Sequence, residues 1–164
     1  MGNIKPWIFQ NKEINTIDDM PKGAYGFIYE VTHLPTQQKY LGKKVLFYER
    51  NKKLGKKEQQ KIKEERKLKG LRGKTPSKKK VILESDWKKY YGSHNKIVEL
   101  IKNNKHHEFS REILMFVPNK KMLTYYETKY LFLKEVIENN EKYLNTNISG
   151  HFYSKDFQDL PNLG

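Results

Sequence analysis

Two short apolar runs, joined by a connection that contains one proline, constrain the fold of this chain more than any other feature. The runs are rich in aromatic and β-branched residues, and they predict antiparallel strands at 26–32 and 38–46. Pro35 falls between them, where it removes no backbone donor from the strand ladder. A connection of four residues, 34–37, therefore predicts a β-hairpin.

The length of this connection sets which residues face each other across the hairpin. Val31 is expected opposite Tyr40, and Tyr29 opposite Gly42. Because side chains alternate between the two faces of a strand, this register brings both phenols to one face, whereas a slip of one residue would separate them. Gly42 is expected to leave room between the two rings for another group to approach the backbone. Packing of the rings within an apolar core is the alternative explanation.

The remaining elements are predicted from hydrophobic spacing and helix-start signals. They are, in order, a strand or apolar anchor at 7–9, a helix at 56–68, a mobile basic loop at 70–80, a helix that begins at Ser85 or Asp86, a helix at 95–103, a strand at 109–116 and a helix at 123–138. Trp87, Tyr90 and Tyr91 have the i, i+3, i+4 spacing of a buried helical face. The order β-β-α-α-β-α predicts an α+β fold with a small three-stranded antiparallel sheet flanked by helices.

The charge of the chain is strongly basic and unevenly distributed. Lys and Arg total 33 against 19 Asp and Glu, a net charge of +14. Between Arg50 and Lys80 lie 15 basic and three acidic residues, so this segment is a basic insertion after the hairpin. Such a surplus indicates a polyanionic partner, and nucleic acid, bound through its phosphate backbone, is the usual one. A solvated linker is the alternative, and base-specific recognition does not follow from charge.

Length and composition narrow the class of protein further. At 164 residues the chain is expected to form one domain over 1–164, with a lead-in at 1–23, the insertion at 50–80 and a tail at 143–164. The absence of cysteine excludes disulfides, a thiol nucleophile and thiolate metal sites. No stretch has the length of a membrane span, and the N-terminus lacks the apolar region of a signal peptide, which predicts a cytoplasmic protein with no membrane partner. The oligomeric state stays open.

The triplets Phe27-Ile28-Tyr29 and Tyr40-Leu41-Gly42 resemble the signature of the GIY-YIG nucleases, with Phe in place of the signature glycine. Three later blocks are similar to the Seg-like branch, whose members are free-standing homing-type endonucleases of tailed phages. These blocks are ESDWKKYYGS at 84–93, FSREIL at 109–114 and YYE at 125–127. The resemblance covers about residues 7–157 and implies the same three-stranded α+β core. A member encoded by a phage would act in the cytoplasm of the host cell.

The resemblance implies hydrolysis of DNA with one divalent ion, Mg²⁺ or Mn²⁺, held by a single carboxylate. Glu127 matches the family's helix glutamate and is the metal candidate; a first-turn Glu stabilised by the helix dipole is the alternative. Tyr29 is implied as the general base or as the group that orients the attacking water, and it would need a nearby Lys or the metal to favour its phenolate. Tyr40 would hold the phosphate or assist proton transfer.

The family also carries an arginine on the first helix after the hairpin, and this chain has only Lys88 and Lys89 there. Candidates for the cation are Arg50 and Arg66, followed by Arg111, which could point into the same cleft from the third strand. Arg and Lys are not equivalent in bidentate phosphate contacts, so the identity of this cation stays open. The predicted DNA-binding residues are basic side chains on the hairpin, in the insertion and after it: Lys43, Lys44, Lys78, Lys79, Lys80, Lys88 and Arg111.

Two further residues stand near positions that the family uses. His94 follows the Tyr91-Gly92-Ser93 run and is a candidate catalytic histidine, with a polar residue at a helix start as the alternative. Asn147 matches a late asparagine that supports the site in the family. The neighbouring His106 and His107 would point apart, so a metal site there is not expected.

Two hypotheses of function remain. The first is a metal-dependent DNA endonuclease, in which Tyr29, Tyr40 and Glu127 converge on one basic cleft. The second is a non-catalytic basic protein that binds nucleic acid through 50–80, with both tyrosines in the core. The target sequence, and nicking as against double-strand cleavage, do not follow from the sequence.

Overall fold

The computed structural model of the chain describes residues 3–158 and 160–161. The chain divides into two compact units. The larger, Met1–Leu46 together with Asp86–Gly164, is called the core unit, and the smaller, Phe47–Ser85, is called the basic unit.

The structure contains both strands and helices in its described part. The strands are β1 (Trp7–Phe9), β2 (Lys12–Ile14), β3 (Gly26–His33), β4 (Gln38–Val45), β5 (Phe47–Lys53), β6 (Lys78–Glu84), β7 (Phe109–Val117), β8 (Asn147–Ile148) and β9 (Phe152–Tyr153). The α-helices are α1 (Lys56–Leu68), α2 (Asn95–Lys102) and α3 (Lys120–Leu133). The α+β class is confirmed.

The sheet of the core unit has five strands, in the order β2-β1-β7-β3-β4. The predicted three-stranded sheet is its β7-β3-β4 part, so the prediction was too small. Strand β1 pairs parallel to β7, with Ile8 opposite Glu112, and β2 pairs antiparallel to β1. The predicted strand or apolar anchor at 7–9 is strand β1, with the predicted bounds. Strand β2 was not predicted, because its three residues are too few to display the alternating pattern that identifies a strand in sequence.

The hairpin is confirmed in its predicted register. Val31 faces Tyr40, and Tyr29 faces Gly42 across β3 and β4. On its other side β3 pairs with β7 along its whole length, and the pairing shifts by one residue between Ile28 and Tyr29. Strand β3 is therefore an interior strand, paired on both sides, and it is buried throughout, which fixes the position of Tyr29.

Apolar side chains cover both faces of this sheet. On one face, Ile28 and Leu41 pack with Leu123 of α3 in a large buried cluster. On the other face, the fully buried Trp7 contacts the rings of Phe27 and Tyr29 edge-on, with centroids 5.0 and 5.3 Å away. The Trp7 indole N–H also donates a hydrogen bond to the carbonyl of Trp87 at 2.8 Å.

The predicted helix at 123–138 is displaced toward the N-terminus. Helix α3 begins after Asn119, whose side chain accepts a hydrogen bond from the Met122 amide at 2.9 Å and so caps the helix. The helix ends before Lys134, and Glu135 has a φ of 50°, which an α-helix does not accommodate. Helix α2 matches the predicted 95–103 to within one residue.

The predicted helix from Ser85 or Asp86 is wrong. Residues 86–91 form turns and irregular backbone. The burial that suggested a helix is real, because Trp87 and Tyr91 are almost fully buried. Their spacing arises from a tightly held loop, whose arginine clamp is described below.

The basic unit consists of helix α1 and a two-stranded antiparallel ribbon. Helix α1 has the predicted bounds. Strands β5 and β6 pair over seven residues each, from Phe47 opposite Glu84 to Lys53 opposite Lys78. The predicted mobile loop at 70–80 is therefore wrong for its last three residues, which are paired strand. A lysine-rich strand carries no apolar alternation by which it could be recognised.

After α3, the chain returns along the outer edge of β4. The Lys39 amide donates to the carbonyl of Lys142, and the Leu144 amide donates to the carbonyl of Lys39. The Asn145 side chain continues this pairing, because its amide oxygen accepts from the Leu41 amide and its nitrogen donates to the Leu41 carbonyl. Within the described residues, no helix is both long and apolar enough to span a membrane.

Candidate active site

The two signature tyrosines lie side by side at different depths. Their ring centroids are 6.4 Å apart. Tyr29 is 1% exposed, whereas Tyr40 is half-buried and its hydroxyl lies 2.9 Å from the hydroxyl of Ser93. Burial raises the pKa of both phenols, and for Tyr29 the neighbouring phenols of Tyr90 and Tyr40 raise it further. Tyr40 is thus the signature phenol that can meet a substrate directly.

The expectation that Gly42 leaves room for an approaching group is wrong. A Cβ atom placed on Gly42 would lie 2.5 Å from the hydroxyl oxygen of Tyr29 and 2.7 Å from its Cζ. The space above the glycine is filled by the Tyr29 ring itself. Glycine is required at this position because the ring crosses directly over the backbone of β4.

Sequence analysis missed Tyr90 as a member of this group. Its hydroxyl accepts from the hydroxyl of Tyr29 at 3.4 Å, and the two rings meet edge-to-face. The ammonium of Lys44 lies 4.0 Å from the centre of the Tyr90 ring and 2.5 Å from a carboxylate oxygen of Asp86. The available signal was the position of Tyr90 inside the Ser-Asp-Trp block, which was interpreted only as a buried helical face.

Glu127 lies in the middle of α3, at the eighth of its 14 residues. This position contradicts the alternative of a first-turn glutamate stabilised by the helix dipole, which acts within the terminal turn. Its carboxylate is 3.2 Å from the ammonium of Lys43, and its side chain is 21% exposed. Burial raises the pKa of Glu127, and Lys43 partly opposes that rise.

Tyr40 and Glu127 open onto the same cleft, which has a volume of about 520 Å³. Most of its lining is polar. Its lining includes the side chains of Tyr40, Ser93, His94, Glu127, Asn145 and Asn147. The structure therefore brings together one signature tyrosine, the predicted metal ligand, the predicted histidine and the predicted asparagine.

His94 serves as the N-cap of α2 as well as lining this cleft. Its Nδ1 accepts from the Lys96 amide at 3.2 Å. Burial lowers the pKa of His94, and the charge of Lys96 lowers it further, so the neutral imidazole that can accept this bond is favoured. The helix-start alternative describes its contacts, and its Nε2 is the atom left for a role in the cleft.

The late asparagine contributes less than its neighbour. Asn147 is exposed and its side chain accepts from the Gly150 amide at 3.0 Å, closing a turn. Asn145 is buried and bonded to the backbone of Leu41, the middle residue of the second signature triplet. Support of the site from the tail therefore comes from Asn145, a residue that sequence analysis did not select.

Arg111 does not point into the cleft, contrary to the prediction. Its side chain is 2% exposed, and its guanidinium stacks 4.6 Å from the Trp7 ring and 4.1 Å from the Tyr91 ring. It donates to the carbonyls of Lys88 and Tyr90 at 2.9 and 2.8 Å, and to that of Lys5. Burial lowers its pKa to about 10. The Nε–H of Arg111 is buried without a hydrogen-bond partner. Arg111 is a clamp on the 86–91 loop, because its guanidinium is bonded to carbonyls, stacked on rings and too deeply buried to meet a phosphate.

Both of the other arginine candidates belong to the basic unit. Arg50 is exposed on β5, and Arg66, on α1, donates to the carbonyl of Arg72 at 2.9 Å. The predicted DNA-binding lysines of the basic unit, Lys78, Lys79 and Lys80, are exposed on β6. In the core unit, Lys88 is exposed, whereas Lys43 and Lys44 are paired with the carboxylates described above.

The donor set of the cleft suits a hard divalent ion. Glu127 supplies a carboxylate to the same cleft that the polar side chains of Tyr40, Ser93 and Asn147 line. Across the part of the chain that the structure describes, no three His, Asp or Glu side chains are grouped to hold a metal. Mg²⁺ accepts one carboxylate together with water and phosphate oxygens, so it fits. A structural zinc site, with four nitrogen or sulfur ligands, does not.

Comparison with known proteins identifies the family of this chain. A family model described as "Putative endonuclease segE, GIY-YIG domain" matches residues 7–69 and 59–148. These segments contain both signature triplets, Tyr90, His94 and Glu127. No curated protein and no solved structure matches the chain. The match extends over most of the chain and confirms the resemblance stated from sequence: the chain belongs to the SegE-type GIY-YIG endonuclease family.

Proposed function

We propose that this protein is a DNA endonuclease that hydrolyses phosphodiester bonds with one divalent metal ion, Mg²⁺ or Mn²⁺. The observation that carries the proposal is the shared cleft, in which the phenol of Tyr40 and the carboxylate of Glu127 line one polar cavity. Glu127 also has an ammonium beside it, 3.2 Å away on Lys43. Hydrolysis of a phosphodiester needs an activated water, neutralisation of charge on the phosphate and help for the leaving oxygen, and a phenol, an acid that can hold a metal ion and a cation can supply these.

Each residue takes the role that its position allows. Glu127 would hold the ion, which when bound neutralises charge on the scissile phosphate and supplies acidic water. Tyr40 donates a hydrogen bond to a phosphate oxygen, because its hydroxyl is at the cleft. Lys43 supplies the fixed positive charge that the family's arginine would otherwise provide. Arg50 and Arg66 remain candidates for substrate contact from the basic unit.

The basic unit is proposed to bind the DNA backbone. It holds 15 Lys and Arg against five Asp and Glu, and its lysines on β5 and β6 are exposed. Contact with phosphates through exposed lysines is independent of sequence and is weakened by salt. Lys88 adds a further exposed charge in the core unit.

The biological setting follows the family. The family match supports the endonuclease part of the proposal. The resemblance to the Seg-like branch is the basis for proposing that the enzyme is phage-encoded and homing-type and acts in the cytoplasm of the infected cell.

The test is cleavage of supercoiled plasmid with Mg²⁺, with Mn²⁺ and with chelator. Wild type is expected to cleave only with metal. Glu127→Gln and Tyr40→Phe are each expected to lose at least about 100-fold in rate while DNA affinity and fold are retained. Glu141→Gln and Tyr125→Phe, at exposed positions, are the matched controls and should cleave like wild type.

The competing function is a non-catalytic DNA-binding protein. The charge of the basic unit favours it as a second candidate. Metal-independent DNA binding by wild type, with no cleavage in either metal across several plasmids, would support it and contradict the endonuclease proposal. Equal rates of cleavage by wild type and Glu127→Gln would show that Glu127 does not hold the catalytic metal ion.

A further inference from the structure

Tyr29 cannot exchange its proton with bulk water directly, because it is 1% exposed beneath the Trp7 and Tyr40 rings. Its hydroxyl donates to the hydroxyl of Tyr90 at 3.4 Å. This distance is long for an O–H···O bond. Catalytic hydrogen bonds are often long in the absence of substrate and tighten when the complex forms.

We propose that Tyr90 is a positioning residue that relays the proton of Tyr29 to solvent and fixes the orientation of the Tyr29 phenol. Tyr90 is half-buried, so it links the buried hydroxyl of Tyr29 to the surface of the protein. The role in cleavage rests on the proposed endonuclease function, whereas the relay itself is a property of the free protein.

Two groups on different strands hold Tyr90 in place, and a third group holds one of them. Arg111 of β7 donates to its backbone carbonyl at 2.8 Å. Lys44 of β4 lies 4.0 Å from the centre of its ring, and Asp86 in turn holds the Lys44 ammonium at 2.5 Å. The Lys44 side chain is 14% exposed and that of Asp86 is 69% exposed. A ring held at its backbone and on its face has a hydroxyl of fixed position, as proton transfer requires.

The relay is a concerted exchange of two protons. The O–H bond of Tyr29 breaks as its proton bonds to the oxygen of Tyr90, and the original proton of Tyr90 leaves to a solvent water or to buffer base. Tyr29 is left as a phenolate that its burial disfavours, so the phenolate is short-lived and a proton returns along the same path. Charged or titratable groups that face the pair are Tyr40, Lys44, Asp86, Arg111 and Glu127.

The direct test is exchange of the Tyr29 hydroxyl proton. Tyrosine labelled with carbon-13 at the ζ position reports this exchange through the isotope shift in mixed H₂O and D₂O, and the Tyr29 signal is assigned by its loss in Tyr29→Phe. Tyr90→Phe is expected to slow exchange at Tyr29 at least about tenfold, because only opening of the surrounding structure would then expose the hydroxyl. Tyr130→Phe, a half-buried ring on α3, is the control and should leave the rate unchanged.

The outcomes separate the relay from a general structural effect. Unchanged ζ-carbon shifts of the other tyrosines and an unchanged melting temperature show that Tyr90→Phe is folded. Under those conditions an exchange rate at Tyr29 equal to that of wild type, whether fast or slow, overturns the proposal. A slowed rate supports it even if the wild-type protein cleaves no DNA.

Cleavage provides the second readout. In single-turnover reactions Tyr90→Phe and Tyr29→Phe are expected to lose about 10- to 100-fold in rate with unchanged DNA affinity, and the double variant should lose no more than the larger single loss. Additive losses would mean that the two phenols act separately. A wild type without activity refutes the endonuclease proposal, and the exchange measurement still decides the relay.

Discussion

The core unit and the basic unit divide the properties of the chain between them. The basic unit, all of whose residues are described, has one buried side chain, Leu54, whereas the core unit buries tryptophans, tyrosines and an arginine. The core unit has 18 Lys and Arg against 14 Asp and Glu, so most of the net charge of +14 belongs to the basic unit, with 15 against five. Packing and charge thus reside in different segments.

This difference teaches which properties each unit can supply. Burial of apolar surface is the main source of stability and contributes about 25 cal/mol per Å² buried. The basic unit buries little apolar surface. Exposed charges act at range and need no rigid surroundings. The chemistry of Tyr40 and Glu127 needs a fixed geometry and is built on the core unit, whereas attraction to phosphate can be built on a ribbon with no core of its own.

The largest effect is expected from the fully buried Trp7. Trp7→Ala removes the ring that packs on Phe27 and Tyr29, together with the indole hydrogen bond to Trp87. The free energy of unfolding should fall by about 3–5 kcal/mol in urea denaturation. Ile82→Ala, at a position that is 72% exposed in the ribbon, should change it by less than about 0.5 kcal/mol. An equal decrease in the free energy of unfolding for the two variants would show that Ile82 contributes to stability as a buried core residue does.

A second prediction concerns charge. Replacing Lys78, Lys79 and Lys80 together by Gln should reduce the slope of log K against log salt by about 2–3, because each lost phosphate contact removes about 0.9. Cleavage at saturating DNA should stay within about twofold of wild type. Binding is measured by fluorescence anisotropy on a duplex from 50 to 200 mM salt.

A matched set of exposed lysines from the core unit, Lys12, Lys22 and Lys102, provides the control for this triple variant. Replacing them by Gln leaves the same net charge on the protein. If both triple variants lose the same slope, DNA binding follows total charge and the division between the units breaks down.

The smallest effect is expected from Glu30. Burial would raise its pKa, but hydrogen bonds and charge from Lys39 and Lys134 outweigh burial and lower the pKa below the ordinary value of 4.5. Stability from a lowered carboxyl pKa is present above that ordinary value and is lost as the pH falls through the folded pKa. Glu30→Gln should therefore cost about 1–3 kcal/mol at pH 7, and the difference from wild type should shrink below about pH 4.5.

Denaturation at a series of pH values checks the Glu30 prediction. Glu49→Gln removes an exposed pair with Lys80 at 3.6 Å in the basic unit and should change stability by less than about 0.5 kcal/mol at any pH. A Glu30→Gln difference that persists undiminished at pH 3 would attribute the loss to packing rather than to charge.

Local patterns predicted the parts of the fold that are local. The hairpin register followed from the four-residue loop, and α1 has the bounds predicted from its local sequence. The ribbon was missed because β5 and β6 are paired across an intervening helix and carry lysines in place of an apolar alternation. The parallel pairing of β1 with β7 joins residues about 100 apart, and nothing in either strand specifies it.

The candidate site was predicted only in part, because local patterns do not indicate which distant residues meet in the fold. Tyr40, Glu127, His94 and Asn147 were selected by matching a family pattern, and they line one cleft. Depth is not encoded in such a pattern. The alternative of core packing, stated for both signature tyrosines, describes Tyr29 but not Tyr40, and the burial of Arg111 was not foreseen. Tyr90 and Asn145 act through contacts from loops, where neither period nor propensity indicates which way a side chain points.

The segment that follows α3 covers part of a sheet edge to which a second copy of the protein could otherwise pair. Strand β4 closes one side of the sheet, and such a strand ordinarily presents free amides and carbonyls on which a second molecule can add a strand. Here those groups at Lys39 and Leu41 are already bonded to Lys142, Leu144 and Asn145. Asn145, which holds the backbone of the second signature triplet, therefore also occupies part of the strand edge on which a second molecule could add a strand.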